Sequence, residues 1–344
     1  MLLFLWRWRT PKYAFVLLWL ATFTTPSLVT VDAPSTIRMI NLLPFLPLPV
    51  AEVMHNLGNF STKNGRLSTN LVYLGMTALV AAHIWGTGTA VFRTWPRHPE
   101  VQFVWQAAFT DMGVFLDANS AIETAVSPAV VTAAIAGWTP ATLDVPTMAL
   151  LLQRPDARLS HFDPLDGTLL LPAPNADGTR TLLRPNILEL DPYWESQLAA
   201  WHAAVTRHPL FTQYAIRNTP YAPQSPITAT FGAELRLRGT TTLADGFITH
   251  WEVLAAPTAG RRLFLQWLDA AGNVLAEDYR LDTADPQNLW FPHWQPGDLL
   301  LQRHPAPPPG AAQLRLGWFD PATCSPGPCQ NLPTAAGEPF LLLP

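Results

Sequence analysis

"RRLFLQWLDAAGNVLAEDYR", Arg261–Arg280, is the stretch that decides the fold. Two runs with a period of two flank the turn residues "AAGN". Successive side chains of a strand point to opposite faces, so this pattern fits a sheet and not a helix. The same period recurs after Pro226 in "ELRLRGT", "FITHWEVL", "LLLQRH", "QLRLGWF" and "PFLLLP", with further turns at "QPGD" and "PPPG". The 35 prolines and 19 glycines form no low-complexity run, which suits many turns and short strands. Residues 224–344 are therefore expected to form an antiparallel β-sandwich of jelly-roll or immunoglobulin-like type.

Working upstream, the period changes. In "VQFVWQAAFTDMGVFLDA" the residues Phe103, Ala107 and Val114 fall near helical spacing, and "TMALLLQ" opens a helix after "DVPT". "RLSHF", "TLLLP" and "TRTLLR" read as strands separated by the turns "DPLDG" and "NADG". Asp191 followed by Pro192 marks a helix start, since the carboxylate can cap and proline suits the first turn. Residues 93–223 are expected to be a small α/β region.

Residues 1–92 differ in kind. The chain is 49% hydrophobic and only 13% charged, about half the usual charged fraction of roughly 25%. Before Arg93, six basic residues (Arg7, Arg9, Lys12, Arg38, Lys63, Arg66) stand against Asp32 and Glu52, a net of +4; the total of −4 leaves −8 for the rest. No basic stripe exists to neutralise phosphates, which argues against nucleic acid as a partner. Apolar runs from Tyr13 to Val31, Met39 to Val53 and Leu71 to Phe92 are expected as about three membrane spans. A cleaved signal peptide is the rival reading of the first run, and a re-entrant segment that of the second, which is short and holds Pro44, Pro47 and Pro49. Cationic flanks favour the cytoplasm, so Lys12 and Lys63 are assigned inside and everything after Arg93 outside.

With those segments in place, "LLWLATFTTPSLVTVDAPSTIRMINLLPFLPLPVAEVM" resembles the late membrane helices of bacterial dolichyl-phosphate-mannose protein mannosyltransferase-like enzymes, polyprenyl-phosphate-sugar-dependent glycosyltransferases of GT-C type. The resemblance rests on Trp19, Pro26, Ala33-Pro34, Arg38, Leu42-Leu43 and Pro44, with Ser35 where histidine is common. "TWPRHPEVQFVWQAAFTDM" is similar to the segment after their last span. "TFGAELRLRGTTT", "LFLQWLDAAGNVLAEDYR", "LWFPHWQPGDLLLQRH" and "LRLGWFDPATC" are similar to their C-terminal β-domain. The resemblance implies a membrane and outer portion of such a transferase. Its catalytic acidic loop has no counterpart here, so no catalytic residue is assigned, and the missing N-terminal half is an implied partner chain.

Candidate sites follow in order. No phosphate loop, nucleophile elbow or metal-spaced histidine pair appears, and no cofactor is implied; "GTGT" at Gly86 lacks a third glycine. Arg38 could meet a lipid phosphate and His83 a head group, as ionisable groups in apolar runs tend to be functional. The plain alternatives are interfacial anchoring and a satisfied bundle histidine. Trp290 and Trp294, which flank "FPH", are the sugar-stacking candidates, whereas Trp251 and Trp267 lie on alternating strands and suit the core. His161, Asp163 and Asp166 in "HFDPLDG" suggest a cation loop, set against ordinary Asp-Pro and Asp-Gly turns. Cys324 and Cys329, the only cysteines, are expected to pair in an outer compartment. Membrane lipid, a polyprenyl-phosphate sugar and a cell-surface glycan are the expected partners. The rival to the transferase reading is a membrane-anchored β-sandwich that binds glycans.

Overall fold

The computed structural model describes residues 5–28, 51–52, 55, 69–118, 132–217, 222–284, 293–325 and 327–344. The chain forms two units, Met1–Arg97 and His98–Pro344.

In the first unit, helix α1 spans Pro11–Leu28 and helix α2 spans Thr69–Thr89. Lys12 Nζ and Tyr13 Oη both reach Glu52 Oε1, at 3.1 and 2.5 Å. Helix α2 continues through a wider turn at Ala90–Thr94 and a tighter one at Trp95–Arg97. Leu74–Arg97 is thereby a continuous apolar helical run, the one stretch among the described residues long and apolar enough to cross a membrane. The structure thus supports a single span where the sequence leads one to expect three. The first run provides α1, and the second lies outside the described residues apart from Ala51 and Glu52. The run ends at His98, which is extended and hands over to Pro99, a residue suited to starting a new helix.

The second unit begins with helices α3 (Pro99–Val104) and α4 (Ala107–Ala118), then strand β1 (Thr132–Ala136), helix α5 (Asp144–Leu151) and strand β2 (Arg158–Phe162). Next come strands β3 (Thr168–Leu171) and β4 (Thr179–Pro185), helix α6 (Pro192–Ala200), and strands β5 (Ala204–Arg207) and β6 (Phe211–Arg217). The sandwich strands follow: β7 (Ser225–Phe231), β8 (Leu235–Leu243), β9 (Gly246–Val253), β10 (Arg262–Leu268), β11 (Val274–Arg280), β12 (Leu299–Pro305), β13 (Gln313–Asp320), β14 (Gln330–Leu332) and β15 (Leu341–Leu343).

The α/β sheet runs β2-β1-β4-β6-β5, with β1 parallel to both β2 and β4. A β–α–β crossover through α5 is what parallel neighbours require. All of β1 is buried, as expected for a parallel strand covered on both faces. Ala133, Ile135 and Leu183 pack on Phe109, Met112 and Met148 of α4 and α5. Ala134, Ala136 and Leu182 face the other way, into the core that the sandwich shares.

The sandwich consists of β11-β10-β13 extended by β14 and β15, against β3-β12-β9-β8-β7. The reading of "AAGN" as a hairpin turn holds: β10 and β11 pair antiparallel from Leu263–Arg280 to Leu268–Val274. The two inner faces meet at Trp251 and Trp318, edge to face at 5.1 Å. Strand β3 is the unexpected member. Although it lies among α/β elements in sequence, its Leu169, Leu170 and Leu171 pair with Leu301, Leu300 and Leu299 of β12. The two regions read as separate on either side of residue 223 therefore share a sheet and a core. Side-chain bonds reinforce the join. Arg303 Nη1 donates to both oxygens of Asp191 at 2.8 and 2.6 Å, and Trp194 Nε1 donates to the Gly167 carbonyl at 3.0 Å.

Leu170 is fully buried at this join. Leu170→Ala should lower stability by about 2–5 kcal/mol. In urea titrations of the full chain, tryptophan fluorescence and far-UV circular dichroism should shift together, because the two halves of the second unit share a core.

Candidate functional site

Parallel strands end on the same side of a sheet, and ligands of open α/β sheets collect outside those carboxyl ends. β1 and β2 end at Ala136 and Phe162. The loop after β1 carries Trp138, Thr139 and Thr142, and the loop after β2 carries Asp163 and Asp166. The sandwich closes the space with Leu281–Thr283 and His293–Trp294, leaving a cavity of about 280 Å³.

The loop after β1 is fixed by a buried carboxylate. Asp144, at the start of α5, accepts from the Thr139 amide at 2.9 Å, from Thr139 Oγ1 at 2.8 Å and from Gln106 Nε2 at 3.0 Å. Burial pushes the Asp144 carboxyl up despite these donors. Only glycine fits at 137, since a Cβ there would lie 2.0 Å from Asp144 Oδ2. Two non-glycine residues with left-handed backbone flank the arrangement, Gln106 (φ 47°) and Leu281 (φ 52°). Such conformations cost about 1–3 kcal/mol each and persist only where surrounding packing imposes them.

Asp163 caps the short turn Pro164–Asp166 by accepting from the Leu165 amide at 2.9 Å, and Gly167 (φ 75°) ends it. The "HFDPLDG" motif is thus a turn, and no group of three or more metal-ligating side chains occurs among the described residues. Burial pushes Asp163 up to about 6, with Asp166 and Asp144 adding like-charge repulsion. Asp166 is held by Arg280 at 2.7 Å, and Asp282 lies 3.4 Å from Arg262. No ion pair neutralises Asp163 among the described residues. His161 is 3% exposed, and burial next to His293 drives it down to about 3, so the ring is neutral. Its backbone amide donates to the His293 carbonyl at 2.7 Å.

The cavity brings together His161, Asp163, Asp166 and Trp294 from the sequence reading. Trp294 is 2% exposed, with its ring 5.9 Å from that of Trp318 in the sandwich core. A ring so little exposed packs into the sandwich core while it borders the cavity. Trp290 and Arg38 lie outside the described residues. His83 is exposed on α2 and belongs to the other unit. Cys324 and Cys329 are joined by a disulfide. Sequence reasoning missed Trp138, Asp144, Asp282 and His293. Trp138 and Asp144 share the β1–α5 connection, while Asp282 and His293 come from the distant sandwich, and no local spacing links the two places.

Two outcomes test this geometry. Gly137→Ala forces Asp144 and its loop apart and should cost about 1–3 kcal/mol. The raised Asp163 carboxyl predicts a pH effect of definite sign. Between about pH 4 and 6 the folded chain holds a proton that the unfolded chain has released, so stability falls as pH rises through that window. Asp163→Asn keeps the cap and should reduce that slope in urea titrations taken across the range, leaving the part that Asp298, also pushed up to about 6 by burial, contributes.

Set against models of known protein families, curated proteins and solved structures, the chain matches none of them.

Proposed function

We propose that this chain is the membrane-anchored outer portion of a polyprenyl-phosphate-sugar-dependent glycosyltransferase, and that it binds rather than catalyses. The observation that carries the reading is the apolar helix Leu74–Arg97 joined without a linker to the compact unit His98–Pro344. The ordered likeness of the segments around Trp19, Arg38 and the sandwich strands to such transferases supplies the reaction class. The N-terminal basic cluster at Arg7, Arg9 and Lys12 lies on the cytoplasmic side and the second unit outside. One crossing or three gives this same orientation, since both are odd. The Cys324–Cys329 pair suits an oxidising outer compartment. Catalysis requires groups beyond this chain, such as a partner bearing an acidic loop. A second reading, a membrane-anchored glycan-binding module, is favoured by the cavity of aromatic and carboxylate groups beside β1 and β2.

The chain expressed alone should stay in the membrane fraction through alkaline washing and be released by detergent, while transferring no sugar from a polyprenyl-phosphate donor. Recovery as a soluble protein would overturn the anchor, and robust turnover by the chain alone would overturn the binding role. Lysine occurs only at 12 and 63. A membrane-impermeant amine reagent on sealed cells should therefore label neither, and labelling of Lys63 would reverse the orientation.

A further inference from the structure

Helices α4 and α5 cover one face of the α/β sheet and lie side by side. Gln106, just before α4, donates to Asp144 at the start of α5 at 3.0 Å, and a Cβ on Gly113 would lie 3.5 Å from Leu151 Cβ. Each helix buries one face, with Phe109, Met112 and Leu116 on α4 and Val145 and Met148 on α5. The opposite face of a helix on a water-soluble domain is normally charged or polar. Here it carries Thr110 and Val114 at a spacing of four, and Leu143, Thr147 and Leu150 at spacings of four and three. Val114 is 65% exposed, Leu143 54% and Leu150 88%. Neither helix contains a lysine or arginine, and none of their aspartates is exposed. Asp144 is buried, while Asp111 and Asp117 are half-buried, the latter accepting from the Gln153 and Arg154 amides at 3.1 Å. Helix α6 of the same half shows the ordinary pattern, with Glu195 and Ser196 exposed.

Single exposed apolar side chains are common, but two neighbouring helix faces without an exposed charge are not. The chain itself says what covers them. Val104 and Trp105, at the entry to this layer, are also well exposed, and tryptophan favours the head-group level of a bilayer. Trp105 lies eight residues beyond Arg97, where the apolar helical run ends, so extended chain between them spans at most about 29 Å. A tether this short makes any contact with the bilayer intramolecular, and a weak apolar surface is then enough to hold.

We propose that the outer face of α4 and α5 rests on the membrane surface, with Val114, Leu143 and Leu150 at the boundary between head groups and acyl chains. The proposal rests on the reading of Leu74–Arg97 as a membrane span. Amphipathic helices in this position sink by about 5–10 Å. Because the face has no basic residue, burial of apolar area drives the contact and attraction to anionic lipid does not. Leu143 follows Thr142, which lines the cavity beside β1 and β2, so the contact sets the rim of that cavity at the level of the head groups.

The test uses nitroxide labels on the full chain in phosphatidylcholine vesicles. Cys324 and Cys329 are joined, so an introduced cysteine is the one free thiol. A label at Val114→Cys, Leu143→Cys or Leu150→Cys should collide more with oxygen, which concentrates in lipid, than with a water-soluble nickel chelate. A label at Leu79→Cys in the span should show the same order. One at Val274→Cys, an exposed apolar residue of the sandwich hairpin, should show the reverse. Val114→Asp combined with Leu150→Asp should turn the Leu143 label to the aqueous order, with the Leu79 label and the melting temperature unchanged. An aqueous order at all three face positions with the lipid order at Leu79 overturns the contact and leaves the anchor. An aqueous order at Leu79 with the lipid order on the face removes the span and leaves the contact. Face labels shielded from both reagents mean that protein, a second copy included, covers these helices, and overturn the proposal. The lipid order at Val274 also overturns it, as does a contact that forms only when phosphatidylglycerol is added.

Discussion

The pairing of Leu169–Leu171 with Leu299–Leu301 is the interaction on which the second unit depends. It carries a strand from the α/β half into the sandwich, so the two halves share a core, beside the smaller cluster that α4 and α5 form on the far face of the α/β sheet. Loop contacts around it consolidate the junction. Gln302 Nε2 donates to the Asp166 carbonyl at 2.7 Å, while its oxygen accepts from Thr168 Oγ1 at 2.5 Å. The turn Pro164–Asp166 just before β3 is thereby fixed against β12. Asp163 and Asp166, which line the cavity, take their positions from this turn. The site is in that sense a by-product of how two layers are joined.

The interior around this junction contains many polar groups, and most are answered locally. Arg261 and Glu234 are both largely buried and form a two-pronged pair at 2.7 and 2.9 Å. Such pairs add little net stability over an apolar substitute, but removing one partner strands the other. Thr249 Oγ1 meets His304 Nε2 and Trp251 Nε1, both at 2.9 Å, and Thr241 Oγ1 meets His250 Nε2 at 2.9 Å. His161 and Trp318 depart from this pattern, with both His161 ring nitrogens and Trp318 Nε1 unmatched by the described residues although both side chains are deeply buried. Local violations of otherwise consistent design tend to mark function.

Much of the sheet architecture was legible because strand periodicity is a local property. "RLSHF", "TRTLLR" and the runs after Pro226 coincide with strands, and Asp191 caps α6 by accepting from the Tyr193 amide at 2.8 Å. Strand β1 escaped notice. "TAAIA" is alanine-rich and buried on both faces, so it shows no apolar–polar alternation. The helix read across "VQFVWQAAFTDMGVFLDA" breaks at Gln106, whose left-handed backbone lets its side chain reach Asp144. Nothing near Gln106 in the sequence announces a partner at that distance along the chain.

What the sequence by itself determined is the class of each segment: apolar helix, mixed α/β, then antiparallel sheet. Composition and period express the solvent that each face of an element must meet, and that requirement is written residue by residue. The tertiary structure alone decided which sheet β3 joins, that Trp294 is enclosed beside Trp318, and that Trp138, His161 and Asp163 share a cavity. Each of these depends on contacts between residues far apart along the chain. A tryptophan in a proline-rich connection reads the same whether its ring meets water or another ring. Only the packing of the two layers settles which.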